Sequence, residues 1–101
     1  MSLLNDELIE TLPKLYDTEN QKDPTVKLRF HLPYSQWVWY LIEYDKGTRI
    51  AYGYVCGFEN ELGYFCLEEL EQVKGLQGMK VLLDKSFKPK KLSELKKELN
   101  H

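Results

Sequence analysis

Residues 26–44 constrain the fold of this chain more than any other stretch. Val26, Leu28, Phe30 and Leu32 alternate with Lys27, Arg29 and His31, the period of two that a half-buried strand requires. Pro33-Tyr34-Ser35 then turns the chain. The run Trp37-Val38-Trp39-Tyr40-Leu41-Ile42-Glu43-Tyr44 that follows is apolar on both faces, as a central strand is. Asp45-Lys46-Gly47-Thr48 reads as a hairpin turn with Gly47 free to take a positive φ. A third strand is expected from Ile50 to Phe58, where Gly53 and Gly57 point to a bulge or a close backbone approach. Glu59-Asn60-Glu61 reads as the next turn and Gly63 to Cys66 as a short fourth strand.

Helical signals frame these strands. Asn5 is placed to cap a short first helix with Leu4, Leu8, Leu12 and Leu15 as its apolar stripe, ending near Thr11 ahead of Pro13. Residues 17–24 read as a polar surface loop. Leu67, Leu70 and Val73 share one side of a second short helix stopped by Gly75, and Val81-Leu82-Leu83 is an edge-strand candidate. Leu92, Leu95 and Leu99 form the stripe of a last helix beginning near Ser93. The expected fold is therefore α+β: one domain over residues 1–101, with an antiparallel meander of about four strands. Short N-terminal, central and C-terminal helices pack against it. With two strands apolar on both faces, helices or a partner must cover more than one side of the sheet.

At 101 residues the chain can bury roughly two-thirds of its unfolded surface, enough to fold without a metal or disulfide staple. No apolar run nears the length of a membrane-spanning helix, and residues 1–7 lack the basic start and apolar segment of a secretory signal. The expected address is the cytoplasm, with no membrane partner and with Cys56 and Cys66 reduced. The two cysteines could face each other only if they flank a hairpin. Zinc is not expected, because there is no Cys-x-x-Cys pair and His31 and His101 stand far apart. Charge is unevenly placed. Residues 1–73 hold six Lys/Arg against thirteen Asp/Glu, and residues 74–101 hold eight Lys against three acids, so net charges of −7 and +5 give the total of −2.

Four segments carry a family resemblance. They are Leu12-Pro13-Lys14-Leu15-Tyr16, Trp37-Val38-Trp39-Tyr40, the run from Gly57 through Glu59-Asn60-Glu61-Leu62-Gly63-Tyr64-Phe65 to Leu70, and Phe87-Lys88-Pro89-Lys90-Lys91-Leu92-Ser93-Glu94-Leu95. In this order they resemble the bacterial family of domain of unknown function 2958. The resemblance implies a small domain in the company of plasmids, phages and integrative elements. It implies no activity.

The residues themselves offer three readings. Arg29, Trp37, Trp39, Tyr40 and Tyr64 gather aromatic and basic character on the sheet, and with the acidic turn at Glu59 and Glu61 they suit a protein interface. Core packing accounts for most strand aromatics, since such residues pack well there. Lys85, Lys88, Lys90, Lys91, Lys96 and Lys97 with the strand aromatics suit instead a nucleic-acid-binding module. Glu59 and Glu61 alone could serve a metal-dependent nuclease, although two carboxylates make a sparse site. No nucleophile elbow and no phosphate-binding glycine loop is present, and His31 reads as an exposed strand histidine. The chain is expected to be a non-enzymatic accessory protein of a bacterial mobile element, without catalytic residues, metal or cofactor. It would act on a protein partner, for example a nucleic-acid-binding enzyme of the host, as a monomer or an edge-paired dimer.

Overall fold

The computed structural model of the protein describes residues 3–100. Among these residues the order is α1 (Asp6–Ile9), β1 (Thr25–Val26), β2 (Leu28–His31), β3 (Val38–Asp45), β4 (Ile50–Cys56), β5 (Asn60–Cys66), α2 (Leu67–Gln72), a 3-10 turn (Leu76–Gly78), β6 (Leu82–Leu83), β7 (Lys90–Lys91) and α3 (Leu92–Leu99). The α+β class expected from sequence is the observed one. β5, β4, β3, β2 and β6 form one antiparallel sheet in that order, and β1 pairs with β7 in a separate two-stranded ladder. No helix among the described residues is long and apolar enough to cross a membrane.

Both faces of the sheet are covered, and by different parts of the chain. Phe30, Leu41, Trp39 and Tyr44 project to a first face, where Leu4 precedes α1 and Leu67 and Leu70 of α2 close the core. Tyr40 and Ile42 project to the second face, where Val26, Leu92 and Leu95 bury them under α3. The apolar run of β3 thus supplies both cores.

Two irregularities change the simple alternation. The β3–β4 register shifts between Leu41 and Glu43, a bulge that puts neighbouring residues on one side of the sheet. The first strand also breaks at Lys27, whose amide donates to the Leu41 carbonyl (2.8 Å). Val26 consequently packs in the second core while Phe30 packs in the first, so Val26 and Phe30 do not share a face as their even spacing predicts.

Asn5 Oδ1 accepts from the Leu8 amide (2.8 Å), the expected cap, although α1 ends at Ile9 rather than Thr11. In the β3–β4 turn Arg49, not Gly47, takes the left-handed conformation (φ 63°). Asp45 holds that turn through the Thr48 amide (3.1 Å) and hydroxyl. Gly53 marks the close approach foreseen for it: a Cβ there would lie 1.7 Å from the Tyr40 carbonyl oxygen. β5 starts at Asn60, so Glu61 belongs to the strand rather than to the turn. α2 ends at Gln72, ahead of Gly75. Leu82 and Leu83 pair with His31 and Phe30 as the expected edge strand.

Candidate functional site

The β4–β5 hairpin carries the most exposed apolar chemistry of the protein. Its tip is drawn tight by the Gly57 amide donating to the Glu59 carbonyl (3.1 Å). Gly57 is glycine for a local reason, since a Cβ there would meet the Trp37 ring at 2.2 Å. The indole is set against the hairpin by the preceding turn. Ser35 Oγ accepts from the Trp37 amide (3.1 Å) and donates to the Leu32 carbonyl (2.7 Å). Trp37 stacks on Trp39 (centroids 5.8 Å) and meets Phe58 edge to face (5.4 Å). Three aromatic rings therefore lead from the first core to solvent, ending on Phe58 at 88% exposure. Trp37, Val55, Phe58, Glu59 and Glu61 line a shallow depression of about 260 Å³. Its walls are apolar and its rim is acidic.

The sequence candidates fall into separate places. Trp37, Glu59 and Glu61 converge at this depression. Trp39 (8% exposed) and Tyr40 (4%) are core side chains on opposite faces of the sheet. They are buried because adjacent residues of a central strand point to opposite faces, and here both faces are covered. Tyr64 is exposed on β5, on the far side of the sheet from Trp37, where its ring packs against Tyr52 (5.1 Å). Arg29 is half-buried in an ion pair with Asp84 (3.1 Å). Lys90 is taken by Glu98 (2.8 Å) and lies over the Phe87 ring, while Lys88 and Lys91 are exposed. The aromatic residues thus do not form one platform, and the lysines do not sit beside the exposed rings at the hairpin tip.

A second groove, of about 330 Å³, opens on the other face between Tyr16, Tyr52, Leu62 and Tyr64. Its floor is Glu43, 3% exposed. One carboxylate oxygen accepts from the Tyr16 amide (2.8 Å), and the other accepts from the Thr18 amide (2.9 Å) and hydroxyl. No Lys or Arg among the described residues pairs with Glu43, so hydrogen bonds alone hold this buried charge. The 17–24 segment is a surface loop, as its polar composition predicts, but the buried Thr18 tethers it to Glu43 as a strap. The Tyr64 phenol is held above its usual pKa by the atoms packed round it and by the neighbouring Tyr16 hydroxyl. The signal for Glu43 was one acid inside an otherwise apolar strand. Phe58 and Leu62 had none, since a loop residue and an edge residue owe their exposure to topology.

Metal and thiol chemistry are poorly served. Among the described residues no three His, Cys, Asp or Glu side chains come together in a way that could hold an ion. Cys56 pairs opposite Asn60 and Cys66 opposite Ile50, at the two ends of the β4–β5 ladder. Six residues of strand separate them by roughly 20 Å, beyond the ~7 Å limit between Cα atoms for a disulfide. Both thiols are free, and burial pushes that of Cys56 up.

A twisted antiparallel sheet cored on both faces by short helices defines a small α+β protein with one long uncovered hairpin. Within that class the assignment is specific: the chain belongs to the family described as Protein of unknown function (DUF2958), whose model matches residues 3–98. No curated protein and no solved structure matches the chain.

Proposed function

We propose that the chain is a non-enzymatic binding protein, accessory to a bacterial mobile element, and that its partner is another protein docked at the tip of the β4–β5 hairpin. The observation that carries this reading is Phe58, 88% exposed and backed by Trp37. A phenylalanine left in water forgoes roughly 1.5–3 kcal/mol of burial free energy. Set edge to face on an indole that itself stacks on Trp39, it can recover that energy on a partner surface. Glu59 and Glu61 on the rim select for a partner with basic groups around an apolar hollow. Nucleic-acid-binding enzymes of the host are one class of protein with such surfaces.

The test is affinity capture from bacterial lysate with the wild-type chain and Phe58→Ala in parallel. A partner retained by the wild type and reduced at least about tenfold by the variant is expected for a hot-spot aromatic. If the two proteins retain the same set, the hairpin tip is not the docking point.

A nucleic-acid reading has one observation in its favour, the exposed Lys85, Lys88, Lys91 and Lys97 in a C-terminal segment of charge +5. It is the weaker reading because Lys90 is neutralised by Glu98 and Lys96 is laid over Tyr54. The nuclease reading has only Glu59 and Glu61 to work with.

A further inference from the structure

We infer that the outer edge of β5 is a strand-addition site, and that its occupant is an extended segment of the protein partner in which apolar residues alternate with Lys or Arg. This rests on the protein-binding reading above and names the part of the partner that is held.

The main chain sets the geometry. The Leu67 amide donates to the Arg49 carbonyl and the Gly57 amide to the Glu59 carbonyl. These bonds fix which residues of β5 face β4: Glu61, Gly63 and Phe65, opposite Val55, Gly53 and Ala51. Asn60, Leu62 and Tyr64 therefore turn their N–H and C=O groups outward, and among the described residues no strand pairs with them. The edge is seven residues long and its register with β4 is unbroken. The opposite edge of the sheet, β6, has only two residues.

Exposed edges are ordinarily guarded by charged side chains, lysine above all, by proline, a bulge or extreme shortness. β5, Asn60-Glu61-Leu62-Gly63-Tyr64-Phe65-Cys66, has no lysine, no proline and no bulge, and Glu61 is its one charged residue, a guard against acidic strands but not against basic ones. Gly63 at its centre is not needed by any internal contact, because a Cβ there would have no neighbour within 4 Å. A glycine inside an unbulged strand leaves room for a ligand or another backbone to come close.

Charge and side-chain alternation identify the occupant. Residues 50–73 contain five glutamates and no lysine or arginine. An antiparallel second copy would set one all-acidic hairpin against another, whereas a basic strand is attracted along its length. On one face an added strand would lie beside Leu62 and Tyr64 at the groove over Glu43. On the other it would lie beside Glu61 and the acidic rim of the Trp37 depression. Apolar side chains suit the first face and cationic ones the second, which gives the alternating pattern.

The test is panning of a random twelve-residue peptide library on the wild-type chain, followed by amide hydrogen exchange with the best binder. The expected peptides alternate apolar with Lys or Arg and slow exchange at Leu62 and Tyr64 at least about tenfold. Leu62→Pro deletes an outward N–H and no bond to β4, so it should weaken them about tenfold, the worth of one main-chain hydrogen bond. The exchange readout uses the wild type alone, so it stands even if that variant does not fold. Peptides lost on Phe58→Ala but unaffected by Leu62→Pro would overturn strand addition and leave protein binding at the hairpin tip intact. So would a homodimer, seen by sedimentation, that already protects Leu62 and Tyr64, or a library that yields no binder.

Discussion

Tyr16 and Thr18 turn three donors onto Glu43, and Tyr16 takes a left-handed backbone (φ 73°) to do so. That conformation costs a non-glycine residue about 1–2 kcal/mol, and the hydrogen bonds to a buried carboxylate more than offset it. Glutamine at position 43 keeps the shape but replaces one acceptor with an N–H₂ that faces donors. Glu43→Gln is therefore expected to destabilise the fold by about 2–3 kcal/mol, since bonds to an ionised group are among the stronger ones and a donor is left unmet. Urea unfolding of both proteins measures the difference; a change under ~0.5 kcal/mol would mean the strap is not held by this charge. Nothing local in the sequence announces the arrangement, because the donors lie 25 and 27 residues away from Glu43. The misplaced acid was visible, and its partners were not.

The hairpin of β4 and β5 shows how much one element owes to its neighbours. Gly53 and Gly63 are directly opposite each other in the ladder, yet they are glycine under different constraints. At Gly53 the Tyr40 carbonyl occupies the space that a side chain would need, beside the β3 bulge. At Gly63 that space is open. Gly53→Ala is expected to cost about 3 kcal/mol, because backbone must move to admit the methyl group. Gly63→Ala should be neutral or stabilise by about 0.5 kcal/mol, through the smaller entropy lost on ordering alanine in a strand. Thermal unfolding of the pair checks this, and equal losses at both sites would contradict the open edge. The sequence left a bulge or a close approach open at Gly53. It could not distinguish the two glycines, since the difference lies in which side of the strand another chain segment passes.

At the scale of the molecule the last helix is tied to the N-terminal quarter of the chain. Asp23 accepts from the Ser93 amide (2.9 Å) and hydroxyl (2.7 Å), and the Pro24 carbonyl accepts from the Leu92 amide (2.9 Å). The last helix is thus capped by a residue 70 positions earlier, which locks α3 over the second core. The Ser93 hydroxyl first, then its amide, hold the Asp23 carboxyl below the usual carboxylate range, with Lys91 and Lys96 adding to the effect. A carboxyl depressed in the folded state stabilises fully above its unfolded value of about 3.9 and loses that contribution as pH falls through its lower folded value. The protection of the Ser93 amide, the slowing of its exchange relative to an unstructured peptide at the same pH, should therefore fall below about pH 4 in the wild type. In Asp23→Asn protection should already be lower at neutral pH and show no such acid step. An acid step of equal size in both proteins would assign it to another group.

The sequence by itself determined the class of fold, the strands from β2 to β4, the second half of β5 and the cap at Asn5, and it pointed to the edge strand at Leu82–Leu83. It did so because each is written in a local period or a local hydrogen bond. It also determined that the sheet must be covered twice, since Trp37 to Tyr44 leaves no polar face. Only the tertiary structure decided what covers each face, that Val26 crosses to the second core, and that Trp39 and Tyr40 are buried while Phe58, Leu62 and Tyr64 are not. An aromatic residue in a strand has the same local signature whether the space beside it holds a helix or water. Which of the two it meets is fixed by segments far away in the chain, and with it the surface left for a partner.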